Sequence, residues 1–155
     1  MKLKIISVNN KVPKWVEEGF CDYAKRVSSE IKVETIEIKP ETKTKNNSVL
    51  TTINKEGEKI IAKIKKDEYV VILDLNKKQI NTEQLVVKFS EWQIKNKKIT
   101  FVIGGANGLS EKCKNIANYT WCLSELTLPH PLVKIILMES IYRCWSIIKK
   151  HPYSK

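Results

Sequence analysis

Strand-like apolar runs alternate with segments of helical period along the whole chain, and no other feature limits its fold as strongly. "KLKIISV" (2–8) reads as a buried strand, and Pro13 then opens a helix with Val16, Phe20, Tyr23, Ala24 and Val27 on one face. "KVETIEI" (32–38) alternates as a strand does, and the polar, basic "KPETKTKNN" (39–47) reads as a loop. Ser48 is placed to cap an amphipathic helix through Ile64 that buries Leu50, Ile53, Ile60, Ile61 and Ile64. "EYVVILDL" (68–75) and "KITFVIGG" (98–105) read as central strands, separated by a helix from Thr82 to about Ile94. Ser110 caps a short helix to about Ala117, "YTWCLSELTL" (119–128) runs from strand into loop, and a last helix spans Pro131 to about Lys149. The pattern predicts an α/β fold: a mostly parallel sheet with helices on both faces. No internal repeat and no dividing linker interrupts it, so residues 1–155 are expected to form a single domain.

No apolar stretch reaches the roughly 18 residues that a membrane span requires. The first residues enter a strand too soon for a signal peptide, so the expectation is a cytoplasmic protein without a membrane partner. Cys21, Cys113, Cys122 and Cys144 show no CxxC spacing, which disfavours a metal site or a disulfide framework. The net charge is +11, a balance that attracts polyanions such as RNA or a ribosome, although lysine can also simply solvate a surface. Arg26 and Arg143 are the two arginines; every other basic residue except histidine is lysine. Arg143 therefore stands out as a position where a planar, two-point donor is wanted.

Three stretches carry the candidate chemistry. Of five glycines, three lie in "GGANG" (104–108), after a strand and before a helix, where α/β sheets bind ligands. Ile103 breaks a dinucleotide-binding GxGxxG pattern there, and a tight turn without a ligand is the alternative. "LSELTLP" (123–129) follows another strand end; its leucines and small polar residues suit a flat heteroaromatic ring such as adenine, or form an ordinary connection. The third is "PHPLVKIILMESIYRCWSII" (129–148). His130 sits at the mouth of the helix, where free amides and the dipole disfavour imidazolium, or it merely caps the helix. Glu139 and Arg143 are spaced as a helical ion pair on a helix apolar on nearly every side, which marks a core or a subunit interface.

Taken together, "KVPKWVEEGFCDYAKR" (11–26), "EYVVILDL" (68–75), "FVIGGANGLS" (101–110), "LSELTLPHPLV" (123–133), "ESIYRCWSI" (139–147) and "HPY" (151–153) resemble the RlmH family of 23S rRNA pseudouridine-N3 methyltransferases, within the SPOUT superfamily. The resemblance runs from the first strand to the tail. It implies a C-terminal trefoil knot, which pattern reading alone never proposes. It also implies a homodimer that binds S-adenosylmethionine and acts on 23S rRNA within the ribosome. Carried over by motif, the cofactor contacts would be Leu73, Gly104, Leu123, Ser124, Glu125, Leu126, Thr127 and Leu128. In the tail "HPYSK", His151 and Tyr153 match, and the last two residues carry no motif.

The expected mechanism is in-line methyl transfer to N3 of a pseudouridine, accelerated by positioning and desolvation. Arg143 would stabilise the developing anion or grip a phosphate, facing RNA in a cleft shared between subunits. His130 would accept the N3 proton. Lys39, Lys43, Lys45 and the "KNKK" at 95–98 would steer phosphates. A non-catalytic ribosome-binding or assembly factor fits the charge equally, but gives no reason for the two cofactor-like loops.

Overall fold

A computed structural model describes residues 1–154; Lys155, the end of the expected polar tail, lies outside the described residues. In chain order the elements are β1 (Lys2–Val8), α1 (Lys14–Val27), β2 (Lys32–Ile38), α2 (Val49–Ile61), β3 (Tyr69–Leu73), α3 (Thr82–Lys95), β4 (Lys98–Ile103), α4 (Glu111–Asn115), β5 (Tyr119–Trp121) and α5 (His130–Ile148). A short 3-10 turn, Pro152–Ser154, ends the described chain. The five strands form one sheet in the order β2-β1-β4-β3-β5, and all four pairings are parallel. Leu3 stands between Val33 and Ile99, and Leu73 between Ile103 and Trp121.

Successive strand residues point to opposite faces, so each strand feeds two cores. Leu3, Ile5, Val71, Ile99 and Phe101 pack under α1, α3 and α5. Ile6, Val8, Val70, Ile72 and Val102 pack under α2 and α4 through Ile60 and Cys113. Burial on both sides explains why the inner strands read as continuous apolar runs rather than alternating ones.

The caps follow the sequence. Ser48 Oγ accepts from Thr51 N at 3.1 Å, Ser110 Oγ accepts from Cys113 N at 3.2 Å, and Asn81 forms a reciprocal capping box with Gln84. The face of α2 departs from expectation. The helix ends at Ile61 rather than Ile64, and it buries Thr52, Glu56, Gly57 and Ile60, while Leu50 is 64% exposed. Gly57 is buried by close approach of α4: a Cβ there would stand 2.2 Å from Ser110 Oγ, and Cys113 Sγ donates to the Gly57 carbonyl at 3.5 Å.

The last helix begins one residue earlier than expected, at His130, with Pro131 in its first turn. It is mainly core: Leu137, Met138, Ile141 and Cys144 are buried against the rest of the chain. Its buried cation is paired, with Lys134 Nζ 3.3 Å from Glu37 Oε1 and 4.9 Å from the centre of the Phe20 ring. Half-buried Leu132, Ile136, Ser140, Arg143 and Ile147 follow one another at helical spacing. No helix among the described residues is long and apolar enough to cross a membrane.

Candidate active site

Because the strands are parallel, β3, β4 and β5 present their carboxyl ends on one edge, and the loops that follow them converge. They enclose a cleft of about 610 Å³. Leu73, Gly104, Leu123, Ser124, Leu126, Thr127 and Leu128 all line it. His130 and Val133, at the start of α5, also border the cleft. Seven of the eight residues expected around a cofactor are thus brought together. Glu125 is exposed and does not line the cleft.

The loop after β4 is a tight turn in which Gly108 N donates to Gly105 O at 3.0 Å. Gly108 has φ +85, a conformation that side chains disfavour, and no atom lies within 4 Å of the place its Cβ would take. It is the open wall of the cleft. Gly104 has a different reason to be glycine: a Cβ there would stand 2.8 Å from Leu109 Cγ and 3.0 Å from the Gly108 main chain. Its absence of a side chain serves the packing of the loop itself.

The loop after β5 is held by its own polar groups. Leu126 N donates to Ser124 Oγ at 3.0 Å, and Cys122 Sγ donates to Ser124 O at 3.2 Å. Leu126 and, across the cleft, Leu75 are 74% and 62% exposed, so the rim offers two unburied apolar walls. Such a rim suits a flat apolar-faced ligand better than water.

Two charged residues in the cleft escaped the sequence reading. Asp74 directly follows β3, with one carboxylate oxygen accepting from Asn76 N at 3.1 Å. Its other oxygen is buried without a hydrogen-bond partner, 3.6 Å from Lys114 Nζ. The signal was an acid at a strand's carboxyl end; nothing in the sequence tied it to Lys114, forty residues on. A buried oxygen with unused accepting capacity fits a ligand that brings a donor.

His130 is half-buried in the cleft. Burial first, and the nearby Lys134 ammonium second, hold its pKa below the usual value. Both causes favour the neutral imidazole.

Arg143 lies elsewhere. It lines a smaller pocket of about 160 Å³ with Asn81, Trp121, Ile136, Glu139 and Ser140, and Leu123 borders both this pocket and the cleft. Its Nη2 donates to Glu139 Oε1 at 2.5 Å, and its guanidinium carbon lies 5.1 Å from the centre of the Tyr153 ring. The Glu139 carboxylate holds the guanidinium pKa above its usual value. The sequence anticipated the pair but not the tail. His151 lies beside the Trp145 ring, and Tyr153 packs at a tilt against Tyr142, so "HPY" folds back onto α5.

The basic segments divide. Lys39, Lys43 and Lys45 are exposed in the loop between β2 and α2. Lys98, by contrast, begins β4 and is ion-paired with Asp67, which corrects its expected availability to phosphates. Among the described residues no cluster of histidine, cysteine or acidic side chains could hold a metal. Cys113, Cys122 and Cys144 are buried free thiols and Cys21 is exposed.

Comparison with known proteins agrees with this geometry. Over residues 1–154 the chain matches the family described as "Predicted SPOUT methyltransferase". It is also 43% identical, over the full length of both chains, to a Pseudomonas fluorescens protein named "Ribosomal RNA large subunit methyltransferase H". A parallel α/β sheet, a cleft at its carboxyl edge and a family match spanning that edge lead to one assignment: the chain belongs to the SPOUT methyltransferase family.

Proposed function

We propose that the protein transfers a methyl group from S-adenosylmethionine to N3 of a pseudouridine in 23S rRNA of the large ribosomal subunit. The observation that carries this reading is the cleft, where the glycine loop and the "LSELTL" loop meet beside a neutral histidine, in a chain of this family. The name of the Pseudomonas relative and the +11 charge support the ribosomal RNA substrate. A ribosomal substrate goes with a cytoplasmic location. A non-catalytic assembly factor is not favoured, because it leaves the cleft and the family match without a role.

The cleft fits the cofactor: its volume, its leucine rim, the open space at Gly108 and the unpartnered oxygen of Asp74 suit an adenosine-bearing ligand. Leu73, Gly104, Leu123, Ser124, Leu126, Thr127 and Leu128 would hold it, with Glu125 carried in the same loop. When bound, S-adenosylmethionine supplies an electrophilic methyl group. The protein's own part is to orient the acceptor, exclude water and manage one proton. His130, neutral in the cleft, accepts the proton that N3 loses. Arg143, across Leu123, faces the RNA and stabilises the developing imide anion or grips a neighbouring phosphate. The exposed lysines of the loop after β2 steer the polyanion.

The same reading makes residues 1–155 one domain closed by a trefoil knot. The strand order β4-β3-β5 supports the knot, since the chain leaves β4 and returns on the far side of β3. It also makes the protein a homodimer, with the half-buried stripe of α5 against a second copy and Arg143 near the shared boundary. The deciding experiment pairs calorimetry with S-adenosylmethionine and tritiated methyl transfer to ribosomes lacking the modification. Saturable binding with transfer is expected; no binding at millimolar cofactor would remove the reading.

A further inference from the structure

Both arginines of this lysine-rich chain sit on one aromatic cluster. The guanidinium carbon of Arg26, in the last turn of α1, lies 5.7 Å from the Tyr23 ring centre and 5.5 Å from that of Tyr142. Tyr142 in turn lies 6.0 Å from Tyr23 and 4.5 Å from Tyr153, over which Arg143 is placed. The two cations, far apart in sequence, therefore flank a continuous row of three tyrosines. Arg26 and Arg143 remain 44% and 40% exposed, while Tyr142, between Tyr23 and Tyr153 in the row, is 2% exposed. Each donates through Nη2 to a carboxylate one turn away, Asp22 for Arg26 and Glu139 for Arg143.

A lysine would pair with Asp22 equally well, as lysines pair with acids elsewhere on this surface. What lysine lacks is a flat cation that rests on a ring and still presents N–H edges outward. Contact with Tyr23, Tyr142 and Asp22 also restricts the Arg26 side chain before any ligand arrives, which lowers the entropy lost on binding. Half-buried Tyr23 and Tyr153, each beside an arginine, suit unpaired RNA, whose bases stack and whose phosphates take two-point hydrogen bonds.

We propose that Arg26, with Tyr23, is a second RNA-binding element, gripping a backbone phosphate of the unpaired strand that reaches Arg143 across the row of tyrosines. The proposal rests on the reading that the substrate is ribosomal RNA. It assigns to α1 a part in binding that neither the cofactor loops nor the tail supplies.

The test measures binding of a fluorescent single-stranded RNA oligonucleotide over a salt series. Thermal melting and an S-adenosylmethionine titration of each variant run beside it. Arg26→Gln should weaken RNA binding about tenfold, one hydrogen-bonded charge contact, and lower the log–log salt slope by about 0.7, one phosphate on a single strand. Cofactor affinity should stay within about twofold. Arg26→Lys should recover the salt slope but only part of the affinity. Asp22→Asn, at an exposed position outside the core, should tighten RNA binding by removing a competing carboxylate. An unchanged RNA isotherm for Arg26→Gln, or weaker binding by Asp22→Asn, overturns the proposal and leaves Arg26 as a tie between α1 and α5. A normal oligonucleotide isotherm with a raised KM on ribosomes also overturns it, in favour of a ribosomal-protein contact. If wild-type protein binds RNA through Arg26 but methylates no ribosome, the proposed function fails while this element stands.

Discussion

Tyr153 donates its hydroxyl to Glu139 Oε1 at 2.9 Å, and the same oxygen accepts from Arg143. One carboxylate thus fixes both the tail and the guanidinium, while the Tyr153 ring lies beneath the cation. Burial and the bond to Glu139 push the Tyr153 hydroxyl well above the usual phenol range, so it remains a donor at any working pH.

Arg143→Lys keeps the charge and loses the planar fork. A clamp on the target nucleotide predicts a cost of about 1–3 kcal/mol, a roughly tenfold to hundredfold fall in methyl transfer. Cofactor affinity should hardly change, because Arg143 lies outside the cleft. Methyl transfer to ribosomes and a cofactor titration of the same variant separate the possibilities. A loss of only a few tenths of a kcal/mol would leave Arg143 as half of a helical ion pair.

Gly104 and Gly108 should fail differently. Gly104→Val drives a side chain into Leu109 and the Gly108 main chain, so its melting temperature should fall and binding should fail with the fold. Gly108→Ala meets no atom but must hold φ +85, at a cost of about 1–2 kcal/mol, and it narrows the cleft. S-adenosylmethionine affinity of a still-folded Gly108→Ala should drop. Calorimetry beside thermal melting reads both, and wild-type affinity in Gly108→Ala would move the ligand away from this wall.

His130 predicts a pH dependence whose sign is fixed. Its folded pKa is depressed, so the contribution of the neutral form is complete above the usual 6.5 and is lost as pH falls through the folded value. Thermal stability should therefore decline on acidification from pH 7 toward 5, and less steeply in His130→Gln. Methyl transfer by His130→Gln should fall at every pH if the imidazole accepts the proton. Parallel stability curves for wild type and variant would remove His130 from the acid response.

Self-association is tested on the outer stripe of α5. Light scattering at micromolar protein should give twice the chain mass of 17.9 kDa. Ile136→Glu places a charge on the half-buried stripe and should halve that mass; a clean wild-type monomer would count against a shared site.

Leu137 has no exposed surface. Leu137→Ala should lose about 2–5 kcal/mol, the usual range for a buried leucine. Chemical denaturation measures it, and a change below 1 kcal/mol would contradict the placement of α5 in the core.

Local chemistry made much of this molecule legible in its sequence. Ser48 and Ser110 cap helices because a hydroxyl reaches an amide three residues on, whatever the rest of the chain does. The alternation of periods marked every strand, and the two loops flanking the cleft were recognisable because glycine and small polar residues follow strand ends there. Contacts between distant residues were decided only by the tertiary structure. Gly57 is buried, with no room for a side chain, because it meets Ser110, more than fifty residues away. Asp74 acquires Lys114 because β4 lies beside β3 and carries the chain to α4. Arg26 and Arg143 share one row of tyrosines because α1 packs on α5 and the tail folds back. Helical period and capping arise within a few residues of chain, whereas the partner of a buried charge or ring depends on which strands become neighbours, and no local signal encodes that order.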